Sequence, residues 1–254
     1  MPLNRCDALI LKTFPYRDAD QITIFYSAET GQRRGLARGS RRHKSRMCGA
    51  LQPLRIVQLV YFEKQSRDLV TIDTTAVLER FPRLEDSLDL LTRGMYLLEL
   101  LLRGTVDSQP QPPMYRLVTK ALRLLNEGQG NPDLIRIYVE YHLLRLNGVL
   151  VDPSVCEACG RSTGTDWSYF DPGLSRHVCR DCHRPRDPGL AICGANRQFI
   201  EALNRLPIAN LPLLLLTAPA AREIGRFLGA QLERHFENAS RVQHFSAEID
   251  GTPG

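Results

Sequence analysis

Two Cys-x-x-Cys pairs, Cys156/Cys159 and Cys179/Cys182, stand on either side of the 19 residues 160–178. A Cys-x-x-Cys turn aims two thiolates at one point. Two such turns at this spacing fit a four-cysteine zinc knuckle or ribbon. Four thiolates saturate a tetrahedral Zn2+ and leave no place for an activated water, so the expected zinc is single and structural. Two other readings stay open: a metal-free hairpin with idle thiols, and a redox dithiol, although neither pair sits in a βαβ pattern. His177 and His183 flank the second pair and read as neighbours of the site or surface residues. Cys6, Cys48 and Cys193 read as ordinary thiols.

A second chemistry lies between Gln32 and Arg46. Arg33, Arg34, Arg38, Arg41, Arg42, Lys44 and Arg46 occur there with no carboxylate among them. The whole chain of 254 residues is +5, and outside this tract 26 basic residues face 28 acidic ones. One short segment therefore supplies all the net positive charge. A phosphate backbone is the natural counterpart, because each cation on it releases condensed counterions, and Arg forks onto phosphate better than Lys. The competing reading is a solvated, flexible basic loop.

Other candidates are thinner. Asp18 and Asp20 are a carboxylate pair able to hold a metal ion, or a pair of turn caps. Arg116, Lys120 and Arg123 share one helical face that suits an acidic partner, or is simply the wet side of the helix. There is no P-loop, no Gly-x-Ser-x-Gly and no His-Glu-x-x-His, so the chain offers nothing to hold ATP or to activate a nucleophile, and no enzyme is expected.

The elements that must position these residues fall into two styles. Residues 6–13, 21–26, 32–37, 54–62 and 69–78 read as short strands, with no helical period among them. Five strands in about 75 residues suggest an OB-type barrel, a fold that commonly binds oligonucleotides, with the basic tract on the third strand and the loop after it. From Phe81 the period becomes helical, with Leu88, Leu91, Met95, Leu98 and Leu102 at threes and fours. Asn131-Pro132-Asp133 is a helix start, and Gly148 a helix stop. The fold class expected is α+β. Its parts are a nucleic-acid-binding barrel (1–80), a helical domain in two pieces (81–150 and 191–245), an embedded zinc segment (151–190) and a flexible tail (246–254). The longest apolar stretch, 211–221, is interrupted by Pro212 and Pro219; it reads as a buried strand or turn and is too short to span a bilayer. No export signal is read in the first residues, so a reducing cytosol and no membrane are expected.

The chain also resembles the bacterial RecO recombination-mediator family. The resemblance rests on Ala19-Asp20 before a strand, on Ala37-Arg38-Gly39-Ser40-Arg41-Arg42-His43-Lys44-Ser45-Arg46, and on Gly49-Ala50-Leu51-Gln52-Pro53. It continues through Leu143-Leu144-Arg145-Leu146-Asn147-Gly148, Asp152-Pro153, Phe170-Asp171-Pro172-Gly173 and a terminal helix from Arg222 to Phe236. One departure is His43, where Pro or a basic residue is expected. The resemblance implies an N-terminal OB-fold and a helical domain with a zinc site. It implies a cytoplasmic, nucleoid-associated protein that binds single- and double-stranded DNA and anneals complementary strands. It further implies binding to RecR and to the acidic tail of single-strand binding protein, and through these help in loading RecA. Two rivals fit the same composition: an RNA-processing or translation factor, and a nucleic-acid-cleaving enzyme using Asp18 and Asp20.

Overall fold

The structure is a computed structural model that describes residues 3–43, 45, 47, 49–63 and 69–249, with side chains as far as Phe236. Lys44, Arg46, Cys48 and residues 250–254 of the expected tail lie outside it. Contacts divide the chain into two units, one ending at Gln129 and one starting at Gly130.

The first unit is built on five strands, β1 (Leu3–Tyr16), β2 (Asp20–Ser27), β3 (Gly31–Ala37), β4 (Arg55–Phe62) and β5 (Leu69–Arg80). They close into a barrel in the order β1-β2-β3-β5-β4, the α+β reading's OB-type topology. Closure depends on β1 serving two partners. Its first half pairs with β4 (Leu3↔Phe62 to Leu9↔Ile56), its second half with β2, and the register slips between Ile10 and Lys12. A bulge at that point bends and twists the strand so that it can turn from one neighbour to the other. The ring is completed by β3 running parallel to β5, from Arg34↔Leu69 to Ala37↔Ile72.

Alternation supplies the core. Cys6, Ala8 and Ile10 from β1, Val57, Leu59 and Tyr61 from β4, and Val70 and Ile72 from β5 all point inward around Phe25. Gly31 must be glycine: it has φ +69°, and a side chain there would run into the Gln109 carbonyl.

Three helices complete this unit: α1 (Pro82–Asp86), α2 (Leu88–Arg103) and α3 (Pro112–Glu127). Ser87 caps α2 by accepting the Leu90 amide at 3.4 Å, and Gly128 ends α3 in the left-handed conformation. The expected apolar stripe of α2 is shifted. Gly94, Leu97, Leu98 and Leu101 are buried, whereas Leu88 is 80% exposed and Met95 is exposed as well. Leucines on every side of this helix satisfy more than one phase; the phase realised puts Gly94 against Leu54.

The second unit starts with α4 (Pro132–Leu146). Asn131 Oδ1 accepts the amides of Asp133 at 2.8 Å and Leu134 at 3.3 Å, with Pro132 as the first helical residue. A three-stranded sheet follows, β6 (Ser168–Asp171), β7 (Arg176–Cys179) and β8 (Leu190–Ile192), with β6 central, and then α5 (Gly194–Leu203) and α6 (Ala218–Ile249). α4 is buried nearly all round. Ile224, Phe227, Leu228, Leu232 and Phe236 form the buried stripe of α6. Of the buried strand or turn expected for the stretch 211–221, the structure has a turn, and it is mostly exposed. It passes from a short 3-10 turn (Ile208–Leu213) into α6. Only Leu211 and Ala221 are buried, and Leu213 and Leu215 face solvent. The prolines that break the run also deny it a ladder partner.

His142 on α4 has ring centroids of Tyr138 and Tyr141 at 4.2 and 5.0 Å. Burial pushes its pKa down to about 4. The folded state then binds fewer protons than the unfolded chain. The stability this contributes is present above about pH 6.5 and is lost as the pH falls towards 4, on the order of 1–2 kcal/mol after allowance for solvent screening. His142→Phe should therefore be less destabilised than the wild type between pH 7 and pH 4.5 in denaturant titrations. Equal pH dependence of the two proteins would count against this.

Candidate nucleic-acid interface and metal centre

The basic tract divides in the structure. Arg33 and Arg34 lie on β3, and both are already paired: Arg33 with Glu63 at 3.0 Å and Arg34 with Asp107 at 3.3 Å. Arg38, Arg41 and Arg42 lie in the loop after β3 and are exposed, with no ion-pair partner among the described residues. A run free of carboxylates in sequence can still meet them in space, because the barrel brings residue 63 to β3 and a bridge from Gln32 brings Asp107, which follows α2.

The loop is held in place. The Gly39 amide donates to Asp20 Oδ1 at 2.7 Å, and the Arg41 amide donates to the Ala19 carbonyl at 2.9 Å. Ser40 between them is fully buried. Further along, Leu51 is buried and its carbonyl accepts from Gln21 Nε2 at 3.2 Å, while Met47 packs on the barrel core. The three arginines thus ride on a loop fastened to the β1–β2 turn. Asp20 is spent on this fastening. Of the two readings open for Asp20 in the sequence, a metal-binding carboxylate or a turn cap, this contact is that of a cap, made from the first residue of β2.

On α3, Arg123 makes a bidentate pair with Glu79, with contacts from 2.7 to 3.1 Å, while Arg116 and Lys120 are exposed with no ion-pair partner among the described residues.

The four cysteines converge. The Sγ atoms of Cys156, Cys159, Cys179 and Cys182 all lie within 4.8 Å of one another, and Cys159 and Cys179 are 3.9 Å apart. A tetrahedron with metal–sulfur bonds of about 2.3 Å has sulfur–sulfur edges of about 3.8 Å, so the cluster can hold a metal ion. Each pair is shaped by backbone hydrogen bonds. The Gly160 amide reaches the Cys156 carbonyl at 2.8 Å with Gly160 at φ +70°, and the amides of Cys182 and His183 both reach the Cys179 carbonyl at 3.1 Å. The first turn is tied to the strand that carries the second: the Glu157 amide donates to the His177 carbonyl of β7 at 2.9 Å, and the His177 amide to Glu157 Oε1 at 3.3 Å.

Electrostatics favour a cation at this point. Arg161, whose Nε lies 3.4 Å from Cys159 Sγ, foremost pulls that thiol down to about 6. Cys182 is pushed up to about 12, first by hydrogen bonding with Cys179. Four thiolates this close repel one another, and a divalent ion lets all of them ionise. The histidines stand aside from the cluster. His177 is buried with Nε2 2.8 Å from Ser168 Oγ, and His183 stacks on Tyr169 at 3.8 Å. Cys6 is buried in the barrel and Cys193 is half-buried. Among the described residues, no other group of three or more histidines, cysteines and carboxylates gathers around a point. Arg161 is the contributor that sequence reading missed; its signal was a cation two residues after a cysteine.

Among the described residues, no helix is long and apolar enough to cross a membrane. The family model described as the N terminal of recombination protein O matches residues 1–81, and the one described as its C terminal matches residues 85–243. The chain is 30% identical to the DNA repair protein RecO of Desulforudis audaxviator, over 96% of each chain. It is 28% identical to that of Anaeromyxobacter dehalogenans over 98% of each. With the one from Desulforamulus reducens it shares 27% identity, over 96% of this chain and 94% of the relative.

Proposed function

The chain belongs to the recombination protein O family, and from that premise we propose that it acts as a recombination mediator: it neutralises DNA backbones and anneals complementary single strands, with no nucleotide hydrolysis and no strand cleavage. Family membership supports a role in DNA repair and recombination. The observation that carries the finer reading is the fastened loop with Arg38, Arg41 and Arg42 exposed and, among the described residues, without ion-pair partners. Three guanidinium groups on a fixed loop beside a barrel are a rail for a phosphate backbone, with Lys44 and Arg46 following in sequence. Arg33 and Arg34 would join only by giving up Glu63 and Asp107.

Annealing asks for little more than charge. Two polyanions approach once their phosphates are neutralised, and no covalent step is involved. The metal proposed for the cysteine cluster is one Zn2+ with a structural role, since four thiolates leave it no open position. The proposed division of labour gives residues 1–80 the nucleic acid and 151–190 the zinc, with 81–150 and 191–245 as the helical frame. The proposed partners are single- and double-stranded DNA, RecR, the acidic tail of single-strand binding protein and, indirectly, RecA. An acidic segment would meet Arg116 and Lys120 on α3.

Annealing of complementary oligonucleotides coated with single-strand binding protein tests this. The protein should speed annealing without ATP. Asp18→Asn/Asp20→Asn should anneal at close to the wild-type rate, because Asn Oδ1 still accepts the Gly39 amide; Asp20→Ala, which removes that acceptor, should be slower. Metal-dependent cleavage of DNA or RNA by the wild type, abolished in the Asp18→Asn/Asp20→Asn protein, would make the chain an enzyme and overturn the reading.

A further inference from the structure

We infer that the β1–β2 hairpin carries a base-stacking platform, in which Phe14 and Tyr16 take the faces of unpaired bases of a single DNA strand whose backbone lies on the adjoining basic loop. Beyond the bulge, β1 pairs regularly with β2 from Lys12↔Ile24 to Tyr16↔Asp20. Alternation along this stretch puts Lys12, Phe14 and Tyr16 on one face of the strand. Both rings are exposed, Phe14 at 38% and Tyr16 at 36%, and neither meets another aromatic ring among the described residues. Each ring has a cation over one face, which leaves the other face for a base. Lys12 Nζ is 5.2 Å from the Phe14 centroid, and the Arg17 guanidinium is 5.3 Å from that of Tyr16. Arg17 lies in the left-handed region at φ 53°, which a non-glycine residue adopts only where its surroundings hold it.

The position matters as much as the composition. The turn that ends β1 is the mount of the basic loop, through Gly39 on Asp20 and Arg41 on Ala19. Aromatic rings and backbone cations therefore share one support. Cations and rings interleaved at one spot match a single strand in both its parts, phosphates for the former and π-faces for the latter. A duplex keeps its bases stacked on each other and offers these rings nothing. The hairpin would then give the protein a preference for single strands that charge alone cannot give. It would hold bases apart from one another before annealing and have no hold on the duplex product.

This inference rests on the basic loop being the DNA rail, and the test separates the two. Binding of the full-length protein is measured to a single-stranded oligonucleotide, to an abasic strand of the same length, and to a duplex. The wild type should favour the strand with bases over the abasic one. Phe14→Ala/Tyr16→Ala should lose roughly ten- to hundredfold on the strand with bases, with affinity for the abasic strand and the duplex unchanged and the salt dependence unaltered. Phe14→Tyr/Tyr16→Phe, which keeps both rings, should bind like the wild type. Equal wild-type affinity for the intact and abasic strands overturns the platform without use of any variant. So does an alanine variant that binds the intact strand as the wild type does, or that loses equally on all three ligands. A salt dependence that stays as steep as the wild type's after removal of Arg38, Arg41 and Arg42 strikes the rail instead.

Discussion

Cys156→Ser should leave the second unit unable to hold its fold, giving insoluble or protease-sensitive protein. Cys156 is the buried member of the four-thiol cluster, and its amide and carbonyl bond to Arg161 and Gly160 of the same turn. Structural zinc contributes on the order of 10 kcal/mol or more to the folding of its domain. That is comparable with the whole stability of an ordinary domain, about 5–15 kcal/mol. The wild type should carry about one zinc per chain by elemental analysis, as a single tetrahedral site requires. Cys193→Ser, at a thiol outside the cluster, should keep both metal and solubility. Soluble, protease-resistant protein without zinc would remove the metal from the account.

Arg38→Glu/Arg41→Glu/Arg42→Glu should cost DNA affinity about a hundredfold or more at 0.1 M salt, because each lost phosphate contact is worth about 0.7 of a decade there and reversal adds repulsion. The loss should be the same on every sequence, since backbone contacts carry no base information. Arg33→Ala/Arg34→Ala should cost far less. Those side chains already spend their charge on Glu63 and Asp107, and surface pairs of that kind contribute little to stability, so the variant should fold. A competition assay with two unrelated oligonucleotides checks both statements. A loss confined to one sequence would point to base readout instead.

The chemistry was easier to read in the sequence than its wiring. The cysteine spacing announced a cluster, and the thiols do converge, because Cys-x-x-Cys is a local turn and the backbone bond from Glu157 to His177 brings the two copies together. The five strands were legible from alternation and turn residues, apart from the ends of β1, which runs three residues beyond the expected stretch on each side to reach two partners. What stayed hidden depends on distant pairings. Nothing near Arg33 or Arg34 foretells Glu63 or Asp107, and nothing near Arg123 foretells Glu79. The phase of α2 was misread because a leucine-rich helix is nearly symmetric around its axis, and Gly94 rather than a leucine marks its closest approach. The prolines of the run 211–221 made its turn legible, but its exposure was not, because apolar composition does not say which side chains find a packing partner.

The salt dependence of single-strand binding tests the central claim most directly. Without its two paired arginines the tract holds five cations, Arg38, Arg41, Arg42, Lys44 and Arg46. With each on one phosphate, the slope of log affinity against log salt should be about −3.5 for the wild type, and Arg38→Ala/Arg41→Ala/Arg42→Ala should flatten it to about −1.4. A slope that stays near −3.5 in the triple variant would put the DNA elsewhere on the protein and leave this loop a solvated surface.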